Sequence, residues 1–369
     1  MNLGWGKKET QFHGTEGKEA RVRRVEEGAV ADTDDRRVRV SWRGDGEMLT
    51  VSYVTPVGPV RKLRVFDRKG ALYSTSEECA GLEQALAWKP SGNLIAATVR
   101  RPNKLTVGFF EKNGLQHGEL PLRTEMDVKE LEWNCDSSVL MVWGAKDGRN
   151  LLQFWTVGNY HWYLKQSLEL DEFFKPRWDQ EDPNLFHYFS KDGEQEFFSS
   201  LTFSTSTDTS LGRDERDLSL VAVVDGNVVK VTPMREAVIP PPMSAYELHF
   251  PSQVLSVLFP CGGGEKTFPG LVPTSNNLAV VTAEKIYFFS VLGAADKTES
   301  GDGLVRITGA GGNGYIVQTS RHGVVRTLET AGVGAELTNL TWVGEEILAS
   351  VDYPAPAVLV LQVELYTTS

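Results

Sequence analysis

A tryptophan returns along the first half of this sequence at a nearly constant interval. Successive positions are separated by 46, 45 and 45 residues, and they are Trp42, Trp88, Trp133 and Trp178. Each lies two positions after an apolar residue or proline and before a polar turn of Asp, Gly, Ser or Pro. An alternating apolar run then follows. This pattern predicts a strand, a turn and a second strand in every repeat.

A third apolar strand is predicted about 22 to 24 residues after each of the first three tryptophans, in KLRVFDRKG, TVGFFEKNG and LLQFWTVGN. Each run ends in an aromatic residue, a polar residue and a glycine turn. Phe66-Asp67 stands where a WD-type blade carries its Trp-Asp pair. A period of ~40–45 residues with about four short strands is typical of a β-propeller blade. A helical solenoid is disfavoured, because no stretch carries apolar residues at i, i+3 and i+4 over a dozen positions.

The second half continues the pattern with weaker signals. A hairpin is predicted to turn at Asp225-Gly226-Asn227 within residues 217–233. The runs QVLSVLFP, NNLAVVTA and KIYFFSVL predict three strands of another blade, and the tryptophan pattern returns at Trp342. At this period the chain length corresponds to about eight blades. We expect a stiff proline connector at 239–244 and exposed loops at 199–217, 260–270 and 294–303.

Composition narrows the class of protein. The chain has 38 Lys and Arg against 49 Asp and Glu, a net charge of −11, so stand-alone binding to nucleic acid or an anionic membrane is disfavoured. The three cysteines, Cys79, Cys135 and Cys261, form no CxxC, which argues against a disulfide scaffold or Cys-rich zinc site and fits a reducing compartment. The first residues, MNLGWGKKETQFHG, contain no long apolar core, so we do not expect a signal peptide, and we expect no membrane span because no apolar run approaches 18 residues.

No motif predicts catalysis. Residues 309–314, GAGGNG, match a dinucleotide-binding GxGxxG, but a strand pattern follows, so a glycine-rich turn is the preferred interpretation. The histidines lack metal spacing, and His161 is expected to pack or hydrogen-bond. The acidic pairs Asp34-Asp35 and Glu77-Glu78 are interpreted as a solvated face. We therefore predict no catalytic, cofactor-binding or metal-binding residues.

Short basic stretches leave one alternative open. They are Arg21-Val-Arg23-Arg24, Arg36-Arg37, Arg61-Lys62-Leu-Arg64 and Arg100-Arg101. Together they could form a tRNA-facing patch, although ordinary surface charge offset by nearby acids is the preferred interpretation. The repeated tryptophans are likewise expected to pack between blades rather than to stack on bases.

Several of these segments closely resemble the IKAP family, the largest subunits of the Elongator complex. The segments are GWGKKETQFHG, SWRGDG, STSE, GLEQALAWKPSGNLIA, FFEKNGLQHG, LEWNCDSSVLMVW, LLQFWTVGNYHWYLKQSL, VAVVDGNVVKVT and VIPPPM. The resemblance is dense over residues 3–170, patchy over 171–250 and thin over 260–369. It implies an all-β fold of WD40-like β-propeller blades. The C-terminal blades of a first propeller are expected at 1–170, and the N-terminal blades of a second at 171–369.

The resemblance also implies a function. In that family a scaffold subunit supports modification of wobble uridines at carbon 5 in tRNA, while a sister subunit with radical-SAM and acetyltransferase domains performs the chemistry. The implied partners are that catalytic subunit and a WD-repeat subunit, with tRNA reached indirectly and no membrane. The implied location is the cytoplasm, with the nucleus as a second compartment. Direct tRNA contact, a propeller enzyme with a central-channel site and an adaptor of another assembly remain alternatives.

The sequence departs from the full family pattern. We expect it to begin within the first propeller and to end before the second closes. It lacks the helical dimerisation region and the basic tRNA-contacting segment that the family carries near its C-terminus. An open array of blades exposes strand edges and apolar faces, so the polypeptide alone is expected to be marginally stable or to associate.

Overall fold

The computed structural model describes thirteen stretches of the chain: residues 30–31, 33–170, 173–192, 195–203, 217–259, 276–282, 286–291, 304–308, 315–319, 325–328, 337–343, 346–351 and 357–366. All regular structure within these stretches is β-strand. The prediction of an all-β chain is therefore confirmed, and the strands pair antiparallel with their neighbours along the sheets.

Three four-stranded sheets follow one another in the first part of the chain. Their strands are β1 (Arg39–Trp42), β2 (Met48–Val54), β3 (Arg61–Asp67) and β4 (Leu72–Thr75); β5 (Leu82–Trp88), β6 (Leu94–Arg101), β7 (Lys104–Glu111) and β8 (Gln116–Pro121); and β9 (Asp127–Trp133), β10 (Val139–Lys146), β11 (Arg149–Gly158) and β12 (His161–Leu170). Neighbouring strands in each sheet are consecutive in sequence. The repeated tryptophan ends the first strand of every sheet, as the spacing predicts.

The fourth sheet contains β13 (Phe173–Trp178), β14 (Leu185–Asp192) and β15 (Gln195–Thr202). Trp178 again ends the first strand. The prediction of a loop at 199–217 is wrong for residues 199–202, which belong to β15. Ser199 pairs with Tyr188 and Ser200 with His187, so backbone pairing against an aromatic-rich strand overrides the loop-like serine content. Residues 204–216 of that predicted loop lie outside the described residues.

A three-stranded sheet opens the second part: β16 (Leu220–Asp225), β17 (Val228–Pro233) and β18 (Tyr246–His249). The predicted hairpin is confirmed, because Asp225 pairs with Val228 across the two-residue turn Gly226-Asn227. The predicted connector at 239–244 contains no strand, while the predicted loops at 260–270 and 294–303 lie outside the described residues.

The remaining strands form one nine-stranded sheet in the order β19-β20-β21-β22-β23-β24-β27-β26-β25. They are β19 (Val254–Leu258), β20 (Asn277–Thr282), β21 (Ile286–Val291), β22 (Leu304–Thr308), β23 (Tyr315–Thr319), β24 (Val325–Leu328), β25 (Leu337–Val343), β26 (Glu346–Val351) and β27 (Ala357–Tyr366). The three strands predicted from QVLSVLFP, NNLAVVTA and KIYFFSVL are confirmed as β19 to β21. The repeat at Trp342 is confirmed as the β25–β26 hairpin.

The chain divides into two compact units, residues 1–154 with 168–203 and residues 155–167 with 204–369. In the first unit, apolar clusters lie between successive sheets. One joins Met48, Leu63 and Val65 of the first sheet to Trp88 and Ile95 of the second. In the second unit, Leu220 and Val231 pack in one core with Val254 and Leu278. Within each unit, neighbouring sheets therefore bury apolar side chains against each other.

Candidate functional site

Three of the repeated tryptophans are buried between sheets. Trp88, Trp133 and Trp178 are 3%, 5% and 2% exposed. The indole of Trp178 contacts Phe154 of the preceding sheet, with ring centroids 5.7 Å apart, and Phe186 of its own sheet at 5.5 Å. The prediction that these residues pack between blades is therefore confirmed for the second, third and fourth sheets.

Hydrogen bonds connect equivalent positions of adjacent sheets. The backbone N–H of Trp88 donates to Ser41 Oγ at 2.8 Å, and that of Trp178 donates to Glu132 Oε2 at 3.2 Å. Ser41 and Glu132 are each the residue before a repeated tryptophan. The same repeat that buries the indoles therefore also fixes the register of one sheet against the next.

The first repeated tryptophan differs from the others. Trp42 is 49% exposed, and Val40 on the same side of β1 is 56% exposed. Val38, just before the strand, is 60% exposed. The equivalent residues of the third sheet, Trp133 and Leu131, are buried against the sheet before them. This apolar face of the first sheet thus has the side-chain pattern of a sheet-packing surface and is the clearest candidate for contact with another sheet.

The carboxyl of Glu132, between the third and fourth sheets, has an unusually high pKa. Burial raises the pKa of its carboxyl from the ordinary value of 4.5 to about 7, and neighbouring Glu130 acts in the same direction. Arg177 and the Trp178 N–H oppose this shift, since Arg177 Nη1 lies 3.7 Å from Glu132 Oε2. The ionised form is therefore less favourable in the folded protein than in the unfolded chain.

This shift predicts a stability that falls as the pH rises. A carboxyl whose folded-state pKa is raised binds more protons in the folded state, so the free energy of unfolding decreases between about pH 4.5 and 7. Glu132→Gln keeps an acceptor for the Trp178 N–H and should raise that free energy at pH 8 by up to about 3 kcal/mol, at ~1.4 kcal/mol per pH unit. Urea unfolding at pH 5 and 8 measures this effect.

Glu130→Gln is the matched control, because Glu130 bonds Arg177 at 2.8 Å from a more exposed position. We expect it to lower stability by less than about 1 kcal/mol at either pH. Equal pH profiles for wild type and Glu132→Gln would contradict this account of Glu132.

The structure favours the preferred interpretation of the basic stretches, charge offset by nearby acids, over the alternative of a basic patch. The Arg61 side chain is fully buried, and its guanidinium forms two 2.6 Å bonds to Asp34. Lys62 bonds Glu78 at 3.0 Å, and Arg64 lies over the Tyr53 ring at 5.1 Å. The Arg61-Lys62-Arg64 group therefore does not present three free cations.

The other basic stretches differ from one another: Arg100-Arg101 lies beside carboxylates, whereas Arg36-Arg37 is exposed. Arg100 contacts the carboxylates of Glu83, Glu125 and Asp127, and Arg101 lies 3.2 Å from Glu119. Arg36 and Arg37 are exposed. The stretch at 21–24 lies outside the described residues.

The predicted solvated face of acidic pairs is wrong at one position. The Asp34 side chain is fully buried, because the segment that contains it folds back over Arg61. A buried guanidinium is strongly unfavourable unless a carboxylate pairs with it, and Asp34 provides that carboxylate. Asp35, Glu77 and Glu78 are exposed, as predicted.

Two histidines pair with aspartates. His161 Nε2 lies 3.1 Å from Asp225 Oδ2, which confirms hydrogen bonding for His161, and His187 Nε2 lies 3.0 Å from Asp179 Oδ2. Among the described residues no three His, Cys, Asp or Glu side chains are grouped as metal ligands. That part of the chain also contains no helix with the length and apolar character of a membrane span. The GAGGNG motif at 309–314 lies outside the described residues.

Sequence analysis did not identify the hydrogen bonds that join the first residues of β12 to the β16–β17 hairpin within the second unit. Asp225 Oδ1 accepts the Leu164 N–H at 3.1 Å, and Leu164 O accepts the Gly226 N–H at 2.7 Å. Lys165 Nζ donates to Val224 O at 2.8 Å. The one sequence feature that marks this contact is the aspartate of the Asp-Gly-Asn turn. Aspartate is common in turns, so its presence there predicts a turn and no further hydrogen bond.

Comparison with known proteins places these sheets in a family. The family model for the ELP1 first N-terminal beta-propeller matches residues 1–181, and the model for the ELP1 second N-terminal beta-propeller matches residues 223–359. Elongator complex protein 1 of Oryctolagus cuniculus is 43% identical over 86% of this chain and 24% of its own length. The Mus musculus protein of that name is 40% identical over 96% of this chain and 27% of its own.

Among solved structures, the β-propeller domain of the Trilobed protease from Pyrococcus furiosus aligns with 89% of this chain and 96% of its own, at 12% identity and a TM-score of 0.35. This similarity is too low to carry an argument. The chain spans about a quarter of the length of the curated relatives it matches. With both propeller models matched in order, the chain belongs to the Elongator complex protein 1 family, and its sheets are blades of that family's first and second β-propellers.

Proposed function

We propose that this chain is a non-catalytic scaffold region of the Elongator complex that supports carbon-5 modification of tRNA wobble uridines by holding sister subunits. The observation that carries the proposal is the match to both ELP1 propeller models, together with 40–43% identity to relatives named Elongator complex protein 1. Rigid blades suit this role because they fix the positions of the loops and faces that contact partners.

The pairing of buried carboxylates with guanidinium groups supports the proposal that this region is not catalytic. Buried or half-buried charges in the first unit serve the packing of strands and sheets, as in the pairs Asp34–Arg61 and Glu83–Arg100. Each carboxylate is matched by a guanidinium rather than aimed into a cleft with a nucleophile or base. Such pairs stabilise a frame and do not assemble a reaction centre.

The proposal includes partners and location. We propose contact with the radical-SAM and acetyltransferase subunit and with a WD-repeat subunit, with tRNA reached through the complex, in the cytoplasm and the nucleus. We also keep the division into first-propeller blades at 1–170 and second-propeller blades at 171–369. Limited proteolysis near residue 170 tests the division, and microscopy of the tagged protein tests the location.

Reconstitution tests the scaffold function. We expect the catalytic and WD-repeat subunits to co-purify, and to modify wobble uridine, only when the full-length subunit containing this chain is present. The isolated chain should show no modification of tRNA with S-adenosylmethionine and acetyl-CoA, and no salt-dependent shift of tRNA. The scaffold role is wrong if the sister subunits assemble and react equally well without this subunit.

A further inference from the structure

Tyr160 is presented to solvent at the tip of a strained turn. It and Asn159 form the two-residue turn between β11 and β12, and both have positive φ, 62° and 49°. Such a turn favours Asn followed by Gly, so Asn159 fits, whereas a bulky tyrosine in the second position carries a conformational cost. The Tyr160 side chain is 99% exposed. Among the residues that the structure describes, its ring therefore gains no packing that would offset the cost.

The turn is fixed to a neighbouring apolar segment of the second unit. The Asn159 side-chain amide donates to Pro241 O, and Lys230 Nζ donates to Pro242 O at 3.0 Å. Pro240, Pro241 and Met243 of this segment are exposed, Met243 by 62%. The Asn159 bond joins the tyrosine turn to the proline segment, and the Lys230 bond joins that segment to β17. A turn whose backbone is already fixed loses less entropy on binding.

The charge around this surface is balanced. Residues 230–247 contain four charged side chains, two of each sign: Lys230, Arg235, Glu236 and Glu247. Lys230 is further occupied by Pro242 O and lies 3.7 Å from Glu247. A surface without net positive charge is poorly suited to nucleic acid or anionic lipid, whereas exposed Tyr, Met and Pro suit an apolar pocket on another protein.

We propose that Tyr160, Pro240, Pro241 and Met243 form a docking surface, the Tyr160 surface, for an apolar pocket on a sister protein subunit of the same assembly. Tyr160 is the anchor, because aromatic side chains contribute most to such interfaces and this one is carried on a turn whose neighbour Asn159 is hydrogen-bonded in place. This inference rests on the scaffold function proposed above and specifies one site through which it acts.

Tyr160→Gly separates binding from folding. Glycine adopts positive φ without cost, so the variant should keep or raise the melting temperature of the chain while losing the ring. We expect its affinity for the remaining reconstituted Elongator subunits to fall at least 10-fold. Val57→Gly removes an equally isolated apolar side chain, 88% exposed, and should leave the affinity unchanged. Equal affinities of wild type and Tyr160→Gly would overturn the proposal.

Photo-crosslinking identifies the occupant. Full-length protein with p-benzoylphenylalanine in place of Tyr160, assembled with the remaining Elongator subunits and tRNA, should form an adduct with a protein subunit. The same probe at Val57 should form none. An adduct with tRNA alone, or no adduct in the assembled complex, would overturn the proposal. If the wild-type chain binds no subunit at all, both the scaffold function and the Tyr160 surface are wrong. If wild type binds normally and only the Tyr160 tests fail, the Tyr160 surface is wrong and the scaffold function stands.

Discussion

Asp34→Asn should lower the free energy of unfolding of this chain by about 3–5 kcal/mol, because it leaves the buried Arg61 guanidinium without its counter-charge. Asparagine has nearly the same shape, so the loss reports charge rather than volume. Arg61 retains bonds to Ser52 Oγ at 3.1 Å and Arg37 O at 3.0 Å. The partly exposed Asp35 carboxylate lies 4.0 Å from Arg61 Nη2, which is too long to replace the two short bonds to Asp34. Equilibrium unfolding in urea, followed by tryptophan fluorescence, measures the change.

The neighbouring residue provides a matched control. Asp35 is one-third exposed and pairs with Arg39 near the surface, so Asp35→Asn should cost less than about 1 kcal/mol. If Asp34→Asn is too unstable to measure, the double variant Asp34→Leu with Arg61→Met should recover most of the stability, because it removes both charges together. Equal losses for Asp34→Asn and Asp35→Asn would contradict a buried pair.

The strands around the repeated tryptophans could be predicted because their signals are local. In LAWKPSGNLIAAT the apolar-x-Trp pattern ends at Trp88, the polar turn follows, and β6 begins at Leu94. Period-2 alternation and turn chemistry act over a few residues, so a single sequence is enough to place them. The period of the tryptophans predicted propeller blades, and the resemblance to a family added the pathway.

The charged contacts could not be predicted in the same way. Asp34 and Arg61 are 27 residues apart, and both read locally as ordinary polar surface. Their burial depends on how the segment before β1 folds over β3. The raised pKa of Glu132 likewise arises from the approach of β13, which brings Arg177 and the Trp178 N–H to a carboxylate on another sheet.

The exposure of the tryptophans also depends on neighbouring sheets rather than on local pattern. Trp42 and Trp178 each end the first strand of a sheet, yet one is half-exposed and the other is 2% exposed. Only the presence of Phe154 and its neighbours on the preceding sheet distinguishes Trp178. The turn at Tyr160 escaped prediction for a related reason, since tyrosine is not a residue that favours positive φ.

Trp178→Ala should destabilise the chain by about 3–5 kcal/mol, because it leaves a cavity among Phe154, Phe186 and Met141 between two sheets. Trp178→Phe should cost less, since a smaller aromatic ring fills part of that space. Trp42→Ala removes the same side chain from the equivalent repeat position without a buried contact of comparable size. We expect it to cost less than about 1 kcal/mol.

The free energies of unfolding of Trp178→Ala and Trp42→Ala, measured side by side, test the central claim that the recurring tryptophan marks the packing of successive propeller blades. The account predicts a large loss for Trp178→Ala and a small one for Trp42→Ala. Similar losses at the two positions, or a negligible loss at Trp178, would contradict it.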